Sequence, residues 1–216
     1  MYRKMLLTCF LAFIMTSACV PPPPGATTAP IDHAPALFHV RLDTSKGVIV
    51  IEMHRDWAPI GVERFYQLVK SGYYDQNKVF RIRAGNWAQF GINPDPKVSQ
   101  AWRTRNIPDE PRVQSNIRGT IAFAFALKDA RTTQVFINLK DNSSTHDAPT
   151  DGLPFVPLGI VTQGMEVADA WYSGYGENAG GGIRGGQQAP LFEQGNVYLE
   201  KNYPLLDFIR AATIEK

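Results

Sequence analysis

The sequence predicts a mainly β domain built as an antiparallel barrel or sandwich, and three observations support this. Short runs alternate apolar and polar residues, as in residues 37–43, where polar side chains separate Phe38, Val40 and Leu42. Two segments show helical periodicity, and no strand–helix–strand rhythm connects them. Eighteen glycines and sixteen prolines indicate many turns.

The predicted elements follow one another along the chain. Residues 37–43 and 48–53 flank a polar turn and predict a β-hairpin. Pro59 begins a helix with one apolar face, and Gly72 ends it. The remaining expectations are a strand pair in residues 79–91, loops at 92–117 and 141–154, strands at 120–126, 134–139 and 155–161, a helix at 165–171, and a helical turn with a closing strand within 197–214.

Residues 1–18 have the organisation of an export signal. Arg3 and Lys4 precede an apolar run that ends in small residues, and this run is too short to cross a membrane as a helix. Cys19 follows directly, which resembles the lipidation site of bacterial lipoproteins, although Thr16 stands where such sites usually have leucine. The sequence therefore predicts lipidation of Cys19, with simple secretion as the alternative.

Residues 19–36 have the composition of a tether. They are rich in proline and poor in large apolar residues, so they favour extended structure and cannot bury a core. The globular pattern starts at Leu37, which gives a domain over residues 37–216. We expect a protein anchored by lipid on the periplasmic side of a membrane. Val20 is not the aspartate that keeps many lipoproteins at the inner membrane, so we expect the outer membrane in a Gram-negative cell.

The composition excludes several classes of function. Hydrophobic residues make up 44% and charged residues 19%, as in globular proteins. Without residues 1–18 the chain has 20 basic and 20 acidic residues and no basic cluster, which argues against nucleic acid. The cysteines are Cys9 and Cys19, so the domain has no disulfide and no cysteine nucleophile. The histidines do not have the spacing of metal ligands, and we expect them on the surface. They are His33, His39, His54 and His146.

Residues 79–91, VFRIRAGNWAQFG, place two arginines and a glutamine among large apolar and aromatic side chains. On a regular strand Arg81 and Arg83 share a face. Such a pattern fits either a pocket that holds a ligand or the polar rim of a barrel.

Several stretches in order along the chain resemble the cyclophilin family of peptidyl-prolyl isomerases. Residues 46–75 resemble the family's first hairpin and helix, and residues 79–91 fall on its catalytic strand. The resemblance covers residues 37–172. Residues 173–216 are longer and different, although YSGYGE and NYPLLDFIRAATI resemble a bacterial lipoprotein subgroup. The other matching stretches are NIPDE (106–110), RGTIAFA (118–124), TQVFI (133–137) and LGIVTQGMEVADA (158–170).

The resemblance implies a closed antiparallel eight-stranded barrel capped by two helices. It also implies a peptidyl-prolyl cis-trans isomerase, or rotamase, that acts on X-Pro bonds. In an exported lipoprotein the substrates would be proline-containing unfolded or extended polypeptides of the cell envelope. Neither a cofactor nor a metal is implied.

The resemblance also assigns roles to individual residues. Arg81 is implied as the hydrogen-bond donor to the twisting amide, Gln89 as the group that holds a substrate carbonyl, and Phe136 as the floor of the proline pocket. Arg83 stands at a position that is usually apolar, where it either supports Arg81 or the substrate, or is a surface arginine. The implied substrate contacts are Trp87, Phe123, Gln134, Phe136, Phe155 and Arg83.

The pocket lining departs from the family pattern, although it stays apolar. These departures keep a second function open, a proline-segment binding or chaperone module with little catalysis. A third alternative is a purely structural envelope lipoprotein, which only the tether and the C-terminal extension favour. The alternative for Arg81 and Gln89 themselves is that they are ordinary polar residues of the barrel. The departures are Asn86 and Trp87 for an aromatic residue and a methionine, Phe125 for an asparagine, Phe155 for a histidine, and Thr150 or a gap for a tryptophan.

Overall fold

Nine antiparallel strands form one curled sheet in the computed structural model, which describes residues 32–147, 153–182 and 187–215. Their order across the sheet is β3-β9-β1-β2-β8-β6-β7-β5-β4. The predicted export signal, Cys19 and most of the tether lie outside the described residues, as does Thr150. The strands are β1 Leu37–Thr44, β2 Gly47–His54, β3 Asn77–Lys78, β4 Arg81–Arg83, β5 Trp87–Phe90, β6 Thr120–Phe123, β7 Val135–Asn138, β8 Pro157–Gln163 and β9 Phe208–Glu215.

The first two strands form the predicted hairpin. Thr44 pairs with Gly47 at the turn, and the Thr44 hydroxyl donates to the Gly47 carbonyl at 2.7 Å. Gly47 has a φ of +139°, which a side chain would disfavour. Phe38, Val40 and Leu42 are buried, so the alternation in the sequence gives the inner face of β1.

The expectation of a closed eight-stranded barrel is wrong, because the sheet formed by the described residues is open and has nine strands. Its edge strands, β3 and β4, pair with β9 and β5 respectively, and only Val79 and Phe80 separate them in the sequence. At the break between β3 and β4, backbone N–H groups donate to carbonyl groups of residues 173–216 instead of to a neighbouring strand of the cleft. Val79 N–H donates to the Asp207 carbonyl at 2.9 Å, and Ile82 N–H donates to the Gly176 carbonyl at 3.0 Å.

The mainly β class is confirmed, but the described residues contain more helices than the two expected. The predicted helices correspond to α1 and α4, and the predicted helical turn to α6. The loop prediction for residues 92–117 missed α2, where Asp95 accepts the N–H of Lys97 at 2.8 Å and Pro96 follows the cap. The helices are α1 Pro59–Lys70, α2 Pro96–Trp102, α3 Ser143–His146, α4 Met165–Asp169, α5 Ala189–Gln194 and α6 Asn196–Asn202, with a 3₁₀ turn at Asn178–Gly180.

Two apolar clusters organise the described part of the domain. The larger one lies between the sheet and α1, whose Val62, Phe65 and Val69 are buried in it. The smaller one attaches the C-terminal residues to the segment that precedes β4 and the one that follows β5. Its buried members are Phe80, Ile92, Ala179, Leu191, Phe192, Leu199 and Leu206.

In the ranges 32–147, 153–182 and 187–215, no helix has the length and apolar character needed to cross a bilayer.

Candidate active site

A cleft of about 610 Å³ lies beside β4, β5 and α3, a size typical of ligand pockets. It contains six of the eight side chains that the sequence singles out in the domain. Those six are Arg81, Arg83, Trp87, Gln89, Phe136 and Phe155. The structure therefore brings together residues that are up to 74 positions apart in the sequence, from 81 to 155.

Strand register explains the centre of the cleft. Arg81 of β4 pairs with Gln89 of β5, and Gln89 pairs with Phe136 of β7. Gly85, with a φ of +66°, lies in the turn between β4 and β5. Because paired residues on neighbouring strands lie side by side, the cation, the amide and the aromatic ring are adjacent.

The Arg81 guanidinium is held by three partners. Its Nη1 donates to Gln89 Oε1 at 3.1 Å, and its Nη2 donates to Glu177 Oε1 at 2.8 Å. The guanidinium carbon lies 4.6 Å from the centre of the Trp87 ring, within cation–π distance. Burial lowers the pKa of Arg81, whereas the Glu177 carboxylate raises it, and arginine remains a cation at neutral pH.

A row of amides continues from this arginine. Gln89 Nε2 donates to Gln134 Oε1 at 2.7 Å, and Gln134 Nε2 donates to Gln188 Oε1 at 2.9 Å. Gln134, predicted to contact substrate, therefore lies behind Gln89. It lines a neighbouring cavity of about 370 Å³ together with Gln188. Glu177 and Gln188 are not among the predicted site residues. Glu177 ends the stretch YSGYGE, whose subgroup resemblance assigned no role to any of its residues, and Gln188 lies in a stretch with no resemblance.

Aromatic rings form an apolar cup beside Arg81. Phe136 is 4% exposed, and its ring lies edge-on to Phe155 with 5.1 Å between ring centres. The ring centres of Phe125 and Phe155 are 4.9 Å apart. A proline ring is compact and apolar, so a cup of this composition suits it.

His146 contradicts the expectation that the histidines lie on the surface. It is partly buried in the cleft, 5.3 Å from the Phe136 ring and 5.0 Å from the Phe155 ring. Its Nδ1 lies 3.1 Å from the buried amide oxygen of Asn138. Burial lowers the pKa of His146, with Lys140 adding to this effect and Asp147 opposing it. These contacts are tertiary, so no local pattern could have revealed them.

Phe123 takes a position other than the predicted one, and Arg83 lies at the edge of the cleft. Phe123 is 1% exposed in the larger apolar cluster and does not line the cleft. Arg83 lines the cleft but is exposed, while Ile82 between the two arginines is buried. Thus Arg81 lies inside the site and Arg83 at its open edge.

No cluster of three or more histidine, cysteine, aspartate or glutamate side chains suited to a metal ion occurs within the described ranges. The groups that line the cleft are instead hydrogen-bond donors, amides and aromatic rings. Such a set can hold a peptide and polarise an amide.

Comparison with known proteins identifies the family. Residues 39–182 match the family model described as cyclophilin type peptidyl-prolyl cis-trans isomerase/CLD. The chain is 33% identical to peptidyl-prolyl cis-trans isomerase A of Dickeya dadantii over 157 residues, which cover 70% of this chain and 80% of that protein. It is 30% identical over 138 residues to a peptidyl-prolyl cis-trans isomerase of Acinetobacter baylyi, covering 63% of this chain and 73% of that one.

A solved structure has the same fold. The cyclophilin type peptidyl-prolyl cis-trans isomerase of Cryptosporidium parvum aligns with a TM-score of 0.59 and 17% identity, covering 83% of this chain and 98% of that one. The chain therefore belongs to the cyclophilin family, whose members bind proline-containing peptides. It is a peptidyl-prolyl cis-trans isomerase, or rotamase, of that family.

Proposed function

We propose that the protein isomerises X-Pro bonds of exported, unfolded or extended polypeptides, and that Arg81 is its catalytic residue. The observation that carries the proposal is the placement of the Arg81 guanidinium beside the phenylalanine cup and against Gln89. The cup accepts the proline ring, and the guanidinium donates to the amide next to it.

The chemistry requires no covalent intermediate. Rotation about the prolyl C–N bond breaks amide resonance, with a barrier of about 20 kcal/mol and a time of tens of seconds. Acceleration to milliseconds requires about 10⁴-fold, or roughly 5–6 kcal/mol. In the twisted amide the nitrogen lone pair is no longer delocalised, so it accepts a hydrogen bond that the planar amide cannot accept. A donor at this nitrogen therefore stabilises the transition state selectively.

Arg81 has donors left for this purpose. A guanidinium carries five N–H groups, and among the described residues Gln89 and Glu177 accept one each. The side chain is 13% exposed, so part of it faces the open cleft while most is removed from water. Such partial desolvation strengthens a hydrogen bond to substrate.

Gln89 and Phe136 orient the peptide in this scheme. Gln89 Nε2 donates one hydrogen to Gln134, which leaves the other for a substrate backbone carbonyl. Phe136 forms the floor of the cup, Phe155 lies beside it, and Trp87 covers one face of the Arg81 guanidinium. Arg83, at the exposed edge, acts on the substrate through its charge alone.

A protease-coupled isomerisation assay tests the activity. A short peptide with one X-Pro bond is added to the protein, and a protease that cleaves only the trans isomer reports the rate. We expect the slow phase to accelerate in proportion to the protein concentration. Peptide binding without acceleration would reject catalysis and support the alternative, a proline-segment binding or chaperone module. The aromatic rebuilding at Phe125 and Phe155 is the observation that favours this second function.

The site of action is a further part of the proposal. Residues 1–18 and Cys19 support export followed by lipidation, and the proline-rich residues after Cys19 support a tether to the membrane. We propose that the domain acts at the periplasmic face of the outer membrane in a Gram-negative host. Labelling with a fatty-acid analogue should modify the wild type but not Cys19→Ser, and equal absence of label in both would reject the anchor.

A further inference from the structure

The Glu177 carboxylate reaches Arg81 from the end of the stretch YSGYGE, to which the resemblance assigned no site residue. Glu177 immediately precedes the 3₁₀ turn Asn178–Gly180, and its Oε1 lies 2.8 Å from Arg81 Nη2. The two side chains are 13% and 22% exposed. A short ion pair that is largely removed from water is stronger and better oriented than a surface pair.

The backbone around Glu177 contacts β4, the strand that contains Arg81, on both sides of Glu177. On one side, the Gly176 carbonyl accepts the N–H of Ile82 at 3.0 Å. On the other side, Gly180 packs so closely on Arg81 that an added Cβ would lie 2.7 Å from the Arg81 Cβ. Ala179, between them, is fully buried in the smaller apolar cluster. The position of the carboxylate is therefore fixed by the fold.

An arginine side chain has several rotatable bonds, and its donors are useful only when the guanidinium plane is fixed. Gln89 holds one terminal nitrogen, Glu177 holds the other, and the Trp87 ring covers one face. Removal of Glu177 leaves one terminal nitrogen without an acceptor, so the plane can rotate. A donor that must be ordered during the reaction contributes less to the rate than a donor that is already ordered.

We infer that Glu177 is a positioning residue for isomerisation, which orients the Arg81 guanidinium so that its remaining N–H groups meet the prolyl amide. The inference rests on the proposed role of Arg81. It makes residues 173–182 a part of the active site, although they lie outside the strands that form the cleft. The opposing hypothesis is that Glu177 competes with the substrate for Arg81. Positioning predicts that loss of Glu177 lowers the isomerisation rate, whereas competition predicts that it raises the rate.

The first experiment compares Glu177→Ala with the wild type in the isomerisation assay. We expect kcat/KM to fall by roughly tenfold, mainly through kcat, as for the loss of one charge-assisted hydrogen bond. Glu200→Ala is the matched control, because Glu200 also belongs to the C-terminal residues and pairs with a cation, Lys78, at 3.4 Å. It should keep full activity. A faster Glu177→Ala enzyme would support competition, and unchanged activity would also overturn the inference.

A double-mutant comparison separates positioning from a general structural effect. In an Arg81→Ala background, Glu177→Ala should cost nothing further, because its effect passes through the guanidinium. An equal loss in both backgrounds would contradict the inference.

Gly180→Ala provides a second test of positioning, since its methyl group would push the backbone around Glu177 away from Arg81. We expect it to lower activity in the wild type and to have no effect in the Arg81→Ala background.

A spectroscopic readout keeps the inference testable if the wild type has no isomerase activity. In nitrogen-15 NMR spectra, a guanidinium held by a carboxylate shows slow rotation and separate signals for its two terminal nitrogens. We expect separate Arg81 signals in the wild type and in Glu200→Ala, and a single averaged signal in Glu177→Ala. Separate signals that persist in Glu177→Ala would overturn the positioning role. Inactivity with the expected signals would overturn the proposed function and, with it, the role in isomerisation, and would leave only the orientation of Arg81 by Glu177.

Discussion

Arg131 and Glu110 form a buried ion pair at the first turn of α1, with 2.8 Å between Nη1 and Oε1. Their side chains are 2% and 5% exposed. Glu110 also accepts the backbone N–H groups of Ile60 at 2.8 Å and Gly61 at 2.9 Å. Ala58 at the start of the helix provides no side-chain cap, so Glu110 supplies the missing acceptor and a favourable charge at the helix N-terminus.

This pair predicts a large effect on stability. Glu110→Ala leaves a buried guanidinium without its closest carboxylate, and breaking such a pair costs about 3–5 kcal/mol. The control is Asp169→Ala, which breaks the Arg118 pair, whose side chains are 46% and 43% exposed. An exposed pair of this kind contributes about 1 kcal/mol or less. Urea unfolding of both variants checks the prediction, and equal destabilisation would contradict it.

A second prediction concerns pH and His146. The pKa of His146 is lowered from its ordinary value of 6.5 in the folded protein, so folding favours the neutral ring. Its contribution to stability is therefore complete above pH 6.5 and is lost as the pH falls through the lower folded-state pKa. A charged ring would also place a cation against the apolar cup, beside Lys140. We expect KM for a proline peptide to rise as the medium is acidified.

The variant His146→Gln checks this assignment, because glutamine can still hydrogen-bond to Asn138 but does not titrate over this range. The acid-side rise in KM should be smaller in this variant than in the wild type. His39→Gln is the control, since the His39 side chain is 42% exposed and His39 is distant in sequence from the cleft residues. The assignment fails if His146→Gln retains the full pH dependence, or if His39→Gln loses it.

A third prediction separates two buried phenylalanines. Phe136→Leu should lower kcat/KM because it reshapes the floor of the proline cup, by roughly tenfold for a loss of about 1.4 kcal/mol of complementarity. Phe123→Leu removes the same atoms from the larger apolar cluster, outside the cleft. It should lower the melting temperature and leave the activity of the folded protein unchanged. A loss of activity in Phe123→Leu with unchanged activity in Phe136→Leu would contradict this assignment and would place Phe123 in the substrate site.

The sequence predicted the parts of this domain that depend on local patterns. The hairpin of β1 and β2 follows from alternation around Gly47, and α1 follows from Pro59 and one apolar face. Arg81 and Gln89 pair with each other across the short turn at Gly85, so two residues that are close in sequence are also neighbours in the cleft. Local pattern and family resemblance together therefore located the centre of the cleft.

The remaining features depend on contacts between distant segments. At the break between β3 and β4, the backbone N–H groups of Val79 and Ile82 donate to the carbonyls of Asp207 and Gly176, which are distant in sequence. Glu177 reaches Arg81 across 96 positions of sequence. Neither contact has a periodic pattern or a motif, so periodicity and motif analysis could not predict it.

The most direct test of the central claim compares Arg81→Ala with Arg83→Ala, two arginines on one short strand. Arg81→Ala should lower kcat/KM by roughly 10²–10³, the loss expected when one donor to the transition state is removed. Arg81→Lys should not restore it, because an ammonium group lacks the planar fork that Gln89 and Glu177 hold.

Arg83→Ala should cost about tenfold or less, because its exposed side chain acts only through its charge. The measurement is kcat/KM in the protease-coupled assay, on variants whose melting transitions match the wild type. The account predicts a nearly inactive Arg81→Ala enzyme and an active Arg83→Ala enzyme. Full activity in Arg81→Ala, with the loss in Arg83→Ala instead, would contradict it.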